Sequence, residues 1–223
     1  MTVLAYGDPH GVWKPLLDAC ERHNPSAVIL LGDMDLERPL RVELAPLFAA
    51  GTKVMWIPGN HDADRPEWHA RIFDDHPTGN IHATFGHADG LIFGGLGGVF
   101  RETVWYPRDG AEAPRFGGRS SFMQQVPKQS RWRGGLPLKH RATIFPEDLW
   151  LLRELHLDVL VTHEAPSCHR YGFMAIDTLA EAAGARLIIH GHHHRSYEDV
   201  LPSGIRVRGL AKSEPWMVDL PPA

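Results

Sequence analysis

The sequence predicts an α/β fold, and two observations carry that expectation. Apolar, β-rich runs alternate with helical patterns through the first third of the chain and again after residue 157, and five of these runs each end in Asp, Asn or His. The remaining β-like runs are short and separated by turn signals such as Asp89-Gly90 and Pro202-Ser203-Gly204, as expected of hairpins in the second half of a two-sheet sandwich.

Residues 2–6 run into Gly7-Asp8-Pro9-His10, and 16–20 then have helical spacing. Residues 27–31 run into Gly32-Asp33-Met34-Asp35, followed by a helix around 40–50. Residues 53–57 run into Pro58-Gly59-Asn60-His61-Asp62, followed by a helix near 66–73. The pattern returns at 158–162, ending in His163-Glu164, and at 186–189, ending in His190-Gly191-His192-His193-His194, with a helix over 174–183 between them. The short strands are expected at 81–84, 91–94, 197–201, 205–208 and 216–220. In open α/β sheets ligands bind beyond the carboxyl ends of the strands, so five polar endings on one rim would make a metal site.

The length of 223 residues and a hydrophobic content of 43% fit a single domain spanning the chain. The formal net charge of −4 excludes a global polycation for nucleic acid or membrane. Cys20 and Cys168 lie far apart with no disulfide-framework spacing, no charged leader precedes an apolar run, and no stretch approaches the length of a membrane span. A cytoplasmic location is the expectation. One segment stands apart. Residues 99–143 are rich in Gly, Pro and Arg and lack periodicity. Within 101–141 there are nine Lys/Arg and three Asp/Glu, a net of +6, against 14 and 24 elsewhere, a net of −10. A long structureless insertion of this kind is usually functional or disordered. Its Trp, Phe and Tyr residues, interleaved with Arg115, Arg119, Arg131 and Arg133, would suit a basic lid over an anionic substrate, against the plainer reading of aromatics packed on the domain and solvated arginines.

The chain has 15 histidines, and their positions decide what they mean. Asp8 and His10, Asp33, Asn60 and His61, His163, and His192 and His194 all follow apolar strands. Mixed carboxylate, imidazole and amide donors suit manganese first, with iron, zinc, cobalt or nickel as alternatives, rather than calcium or magnesium. The glycines beside Asp8, Asp33, Asn60 and His192 allow sharp turns and close approach.

Taken in order, Asp-x-His, Gly-Asp, Gly-Asn-His-Asp, a lone His and Gly-His-x-His resemble the calcineurin-like metallophosphoesterase superfamily, with matches from Gly7 to His194. The resemblance implies a four-layer α/β/β/α sandwich of two facing mixed sheets flanked by helices. It implies two divalent metal ions, the first held by Asp8, His10 and His194, the second by Asn60, His163 and His192, with Asp33 between them. His61 would not be a ligand but would face the phosphate, where it would stabilise charge or protonate the leaving oxygen. The implied activity is phosphoester hydrolysis by direct attack of a metal-bridging hydroxide, on a small phosphoester or nucleotide. A nuclease and a non-catalytic protein scaffold of the same fold are the alternatives.

The chain departs from the protein-phosphatase branch at Gly-Asp-x-Val-Asp-Arg-Gly. Leu36 and Glu37 stand where the second Asp and the phosphate-gripping Arg would be, and Asp35 and Arg38 are each displaced by one. Arg38, Arg115 and Arg119 are the candidate substrate contacts. Asp62 and Asp64 read as outer or turn residues rather than ligands, and Asp62 is a candidate to orient His61 or a metal-bound histidine. Glu164, Cys168 and His169 read as a solvated loop, His190 as structural, and His193 as pointing away from its neighbouring ligands.

Overall fold

The structure, a computed structural model, describes residues 2–221. Its strands are β1 (Val3–Gly7), β2 (Ala27–Leu30), β3 (Lys53–Trp56), β4 (Phe85–Ala88), β5 (Leu91–Leu96), β6 (Val159–Thr162), β7 (Leu187–His190), β8 (Tyr197–Val200), β9 (Arg206–Gly209) and β10 (Glu214–Met217). Its helices are α1 (Lys14–His23), α2 (Leu40–Glu43), α3 (Ala45–Ala49), α4 (Pro66–His69), α5 (Arg119–Gln125), α6 (Pro146–Arg153) and α7 (Met174–Ala182). One sheet has the order β10-β1-β2-β3 and the other β4-β5-β6-β7-β9-β8. The inner strands of both are parallel, and β10, β4 and β8 are antiparallel edges.

Strand periodicity explains the layers. Val3 and Ala5 of β1 face the other sheet, together with Ile29, Met55, Phe93, Val161 and Ile189. Leu4 and Tyr6 face outward onto Leu16 and Ala19 of α1 and Leu44 and Leu47 beside α3. On the far side, Leu160 and Ile188 face Leu152 of α6 and Ile176 and Leu179 of α7. Both faces of the parallel strands are thus covered, which is why their sequences read as unbroken apolar runs rather than alternating ones. The result is two mixed sheets flanked by helices, as the sequence implied.

Several expectations are corrected. The helix expected over 40–50 breaks at Leu44, because Pro46 has no N–H to continue the ladder. The 66–73 helix makes one turn and then widens into a π-type turn over Ala70–Asp74. Residues 81–84 make only single bridges, with Ala83 at φ +56°, and the strand starts at Phe85. The last strand joins the first sheet, beside β1, rather than the second.

The 99–143 insertion is not structureless. It contains α5, and Val104, Phe122 and Val126 pack with Phe145 in a small core of their own. Helix α6 follows directly and was not read from the sequence. Between these elements lies a buried charge cluster. Asp148 accepts two bonds from the Arg119 guanidinium, at 2.6 and 3.0 Å, and one from the Phe145 N–H at 2.8 Å, with His82 Nε2 at 3.5 Å. Burial pushes the Asp148 carboxyl up, but His82 and Arg119 outweigh burial and hold it down at about 2.

A carboxyl depressed in the folded state stabilises above its ordinary value of 3.8 and loses that contribution as pH falls through its folded value. Denaturant melts should therefore show wild type losing about 1 kcal/mol between pH 5 and pH 3 through this group. Asp148→Ala should be about 3–5 kcal/mol less stable than wild type at pH 7, and the difference should shrink over that same acid range.

Candidate metal centre

The parallel strands of both sheets deliver their carboxyl ends to one rim. Asp8 and His10 follow β1, Asp33 follows β2 and Asn60 and His61 follow β3, while His163 follows β6 and His192 and His194 follow β7. Five of the seven expected ligands, Asp8, His10, Asp33, His192 and His194, have left-handed backbones, with φ between +37° and +68°. For non-glycine residues this conformation costs roughly 1–2 kcal/mol each, so the surrounding bonds must hold it. Gly59 and Gly191 make room: a Cβ on Gly59 would collide with the Asp33 carboxylate and backbone, and one on Gly191 with the Asp8 carboxylate.

Two donor groups form. Asp8, His10 and His194 offer ligand atoms that all lie within 4.8 Å of one another, as do Asp33, His163 and His192. Asn60 Oδ1 joins the second group, 3.2 Å from His163 Nε2. Asp33 Oδ2 lies 3.5 Å from His163 Nε2 and 4.0 Å from His10 Nε2, so one carboxylate oxygen sits between the two groups. Each group draws on both sheets. A further set, Glu164, His192 and His193, has the same compactness and shares His192.

The hydrogen bonds around these donors fix which ring atoms are free. His163 Nδ1 donates to the Leu31 carbonyl at 2.7 Å, turning Nε2 inward. Facing that nitrogen are two oxygens, of Asn60 and Asp33, and a lone pair opposite two acceptors calls for a cation. Burial disfavours a charged His163, but the Asp33 and Asp8 carboxylates overcome it and push the ring up to about 10, so the surroundings of this nitrogen favour positive charge. His10 Nδ1 meets Asp35 Oδ2 at 2.8 Å, which leaves its Nε2 directed at His194 Nε2, 3.0 Å away. The His192 N–H donates to both oxygens of Asp8, each at 3.0 Å. Burial and the neighbouring His163 lower His192 to about 3, keeping it neutral, as a metal ligand must be. Burial raises Asp8 to about 6. Asp33 is held well below the usual carboxylate range, because His163 outweighs its burial. This donor set fits a pair of borderline divalent cations.

His61 lies outside both groups. Its ring is half exposed and 5.7 Å from that of His10, and its Nδ1 pairs with Asp64 Oδ2 at 2.9 Å. Partial burial works against charging it, but Asp33 and Asp64 prevail and raise its pKa. Asp62 does not touch the His61 ring, contrary to expectation. It is fully buried and accepts from the backbone N–H groups of Asp33, Met34 and Gly59 at 2.9, 2.9 and 2.7 Å.

The remaining expectations divide. Glu164 is not solvated. It is buried, accepts from the Phe100 N–H at 3.3 Å and has Oε2 3.8 Å from His192 Nε2. His169 is also buried and stacks on His193, whose ring stays beside that of His192, 4.7 Å away between centroids, rather than turning from it as expected. His190 is structural, bonded to the Tyr197 hydroxyl at 2.7 Å. Among the candidate substrate contacts, Arg119 is committed to Asp148 and Glu147, and Arg38 pairs with Glu43 at 2.9 Å. Only Arg115 presents an exposed side chain with no ion pair among the described residues. Arg131 binds the Met123 and Val126 carbonyls and Arg133 pairs with Asp74, while Trp132 packs against His69. The insertion's aromatic and basic residues therefore largely hold it together. Asp64, expected to be an outer or turn residue, supports His61, and Asp35, whose partner the sequence does not indicate, meets His10.

Among the described residues no helix is long and apolar enough to cross a membrane. The chain is 34% identical over 204 residues to a Haemophilus influenzae protein described only as uncharacterized, covering 87% of this chain and 84% of that one. Its fold is similar to that of a crystallographically solved Thermus thermophilus protein, with TM-score 0.56, 17% identity, and 95% and 89% of the two chains covered. It is similar also to the phosphopantetheinyl hydrolase of Mycobacterium tuberculosis, with TM-score 0.52, 17% identity, and 95% and 90% covered. The family model of the calcineurin-like phosphoesterases matches residues 1–196, and the chain belongs to that family.

Proposed function

We propose that the chain is a phosphoester hydrolase working with two divalent cations, manganese first among them, on a phosphodiester or nucleotide of small size. The observation that carries this reading is the Asp33 oxygen set between two compact donor groups, 3.5 Å from one imidazole and 4.0 Å from the other. Cations held there would set positive charge against the phosphoryl oxygens and acidify an attacking water. The protein's own contribution is placement and proton management. Asp8, His10 and His194 hold one position, and Asn60, His163 and His192 the other. Asp64 occupies His61 Nδ1, which leaves Nε2 to carry a proton outward toward a leaving oxygen. A nuclease reading gains little, since most arginines of the insertion are bound internally.

Chelator-stripped protein should be inactive on bis(p-nitrophenyl) phosphate and regain turnover when Mn²⁺ is restored. Protein that binds metal but never turns over this or any phosphomonoester or nucleotide would be a scaffold, not an enzyme. His61→Ala should lower kcat about 10²–10⁴-fold with metal content unchanged by elemental analysis. Gly59→Ala should instead lose metal, because its Cβ displaces Asp33. Equal metal content in Gly59→Ala and wild type would remove Asp33 from the centre.

A further inference from the structure

The rim of the site is crowded with acid: Asp8, Asp33, Asp35, Asp64 and Glu164 all stand on or beside the donor groups. A phosphoester is itself an anion, so a protein cation facing the centre would matter more here than on an open surface. Most arginines are committed elsewhere, as described above. Arg101 is not.

Arg101 is half-buried at the start of the insertion. It follows Phe100, whose N–H is bonded to Glu164 beside His192. Its Nε donates to Thr143 Oγ1 at 3.0 Å. Thr143 in turn follows the Leu138–Ala142 turn, which packs against the His61–Ala63 turn. The acidic groups whose charge acts on Arg101 are Asp64, the partner of His61, and Glu164. These stand on opposite flanks of the centre, one toward His61 and His10 and the other toward His192. Arg101 is within ion-pair distance of neither, and among the described residues only the Nε of its guanidinium is hydrogen-bonded. Its two terminal nitrogens remain as an unengaged fork, the geometry that grips two phosphate oxygens at once.

We propose that Arg101 is the residue that binds the phosphoryl group of the substrate, its two Nη groups donating to non-bridging oxygens while Thr143 holds Nε in place. This rests on the hydrolase reading and adds to it a substrate-binding residue supplied by the insertion. It also gives the insertion a role at the centre: the 99–143 segment carries the anion clamp, and Thr143 at its end holds that clamp in place.

The test uses the Mn²⁺-loaded full chain and two variants, Arg101→Ala and Arg101→Lys, with inorganic phosphate as the probe in calorimetry and bis(p-nitrophenyl) phosphate in turnover. Phosphate affinity should fall about 10–100-fold in Arg101→Ala, with KM rising to a similar extent. Metal content and melting temperature should stay near wild type. Methylguanidine at millimolar concentration should restore part of the lost activity to Arg101→Ala and none to Arg101→Lys, whose side chain fills the space. Unchanged phosphate affinity and KM in a variant that keeps its metals would overturn the proposal. So would loss of metal or of folding in both variants, which would make Arg101 a structural counter-charge. Metal-loaded wild type that neither binds phosphate nor turns over any phosphoester would overturn the hydrolase reading itself, and this proposal with it.

Discussion

The carboxylate of Asp62 is the fixed point of the site. It is fully buried among three backbone N–H donors, those of Gly59, Asp33 and Met34. These belong to the loops after β2 and β3, so one side chain ties two strand ends together. Burial, aided by the nearby Asp33 charge, drives its pKa up to about 7 against the pull of those N–H groups. The arrangement tolerates that cost because the alternative is worse: three buried N–H groups without partners. Asp62 also explains how Asp33 holds a left-handed backbone at φ +54°. Asp33 then passes the order on, accepting from the His61 N–H at 2.8 Å. Asp33 and then His61 are thus positioned in turn from one buried acid.

The same device recurs around the rim. Asp35 sets His10, the Leu31 carbonyl sets His163, and Asp64 sets His61. In each case the Nδ1 atom is engaged and Nε2 is freed, so the rings are oriented before any substrate arrives. Among the described residues the ring of His192 has no such hydrogen-bonded anchor, but its backbone N–H is held by both oxygens of Asp8. That last contact joins the two sheets at the site, since Asp8 follows a strand of one sheet and His192 a strand of the other.

What could be read from the sequence follows from how each signal arises. The five strands that deliver the ligands are buried on both faces, so they stand out as apolar runs, and the polar residue that ends each one is conspicuous. Asp62 and Asp64 read only as outer or turn residues, and their partners, like that of Asp35, were hidden because hydrogen bonds through tight turns leave no periodic trace. Glu164 and His169 follow a strand in a stretch with loop composition, and the contacts that accompany their burial, the Phe100 N–H and the His193 ring, come from elsewhere in the chain. The insertion lacked periodicity because its order comes from the Arg119–Asp148 cluster and a handful of aromatics rather than from amphipathic helices. The strand at 214–217 looked like one more hairpin arm, and nothing local could have said that its partner lay at residues 4–7.

That pairing bears on how the protein comes into being during synthesis. Strand β1 leaves the ribosome long before β10, the strand that covers its edge, because residues 4–7 pair with residues 214–217. The carboxylates that follow β1 and β2, Asp8 and Asp33, are likewise made well before His163, His192 and His194, the imidazoles that stand against them. The nascent segment that ends after β3 therefore carries an open sheet edge and a set of carboxylates that repel one another. Both defects are cured together, by the stretch from β6 to β10. Folding to the native sandwich thus waits on the synthesis of that stretch, and a chain broken off before it retains neither a covered β1 edge nor a complete centre.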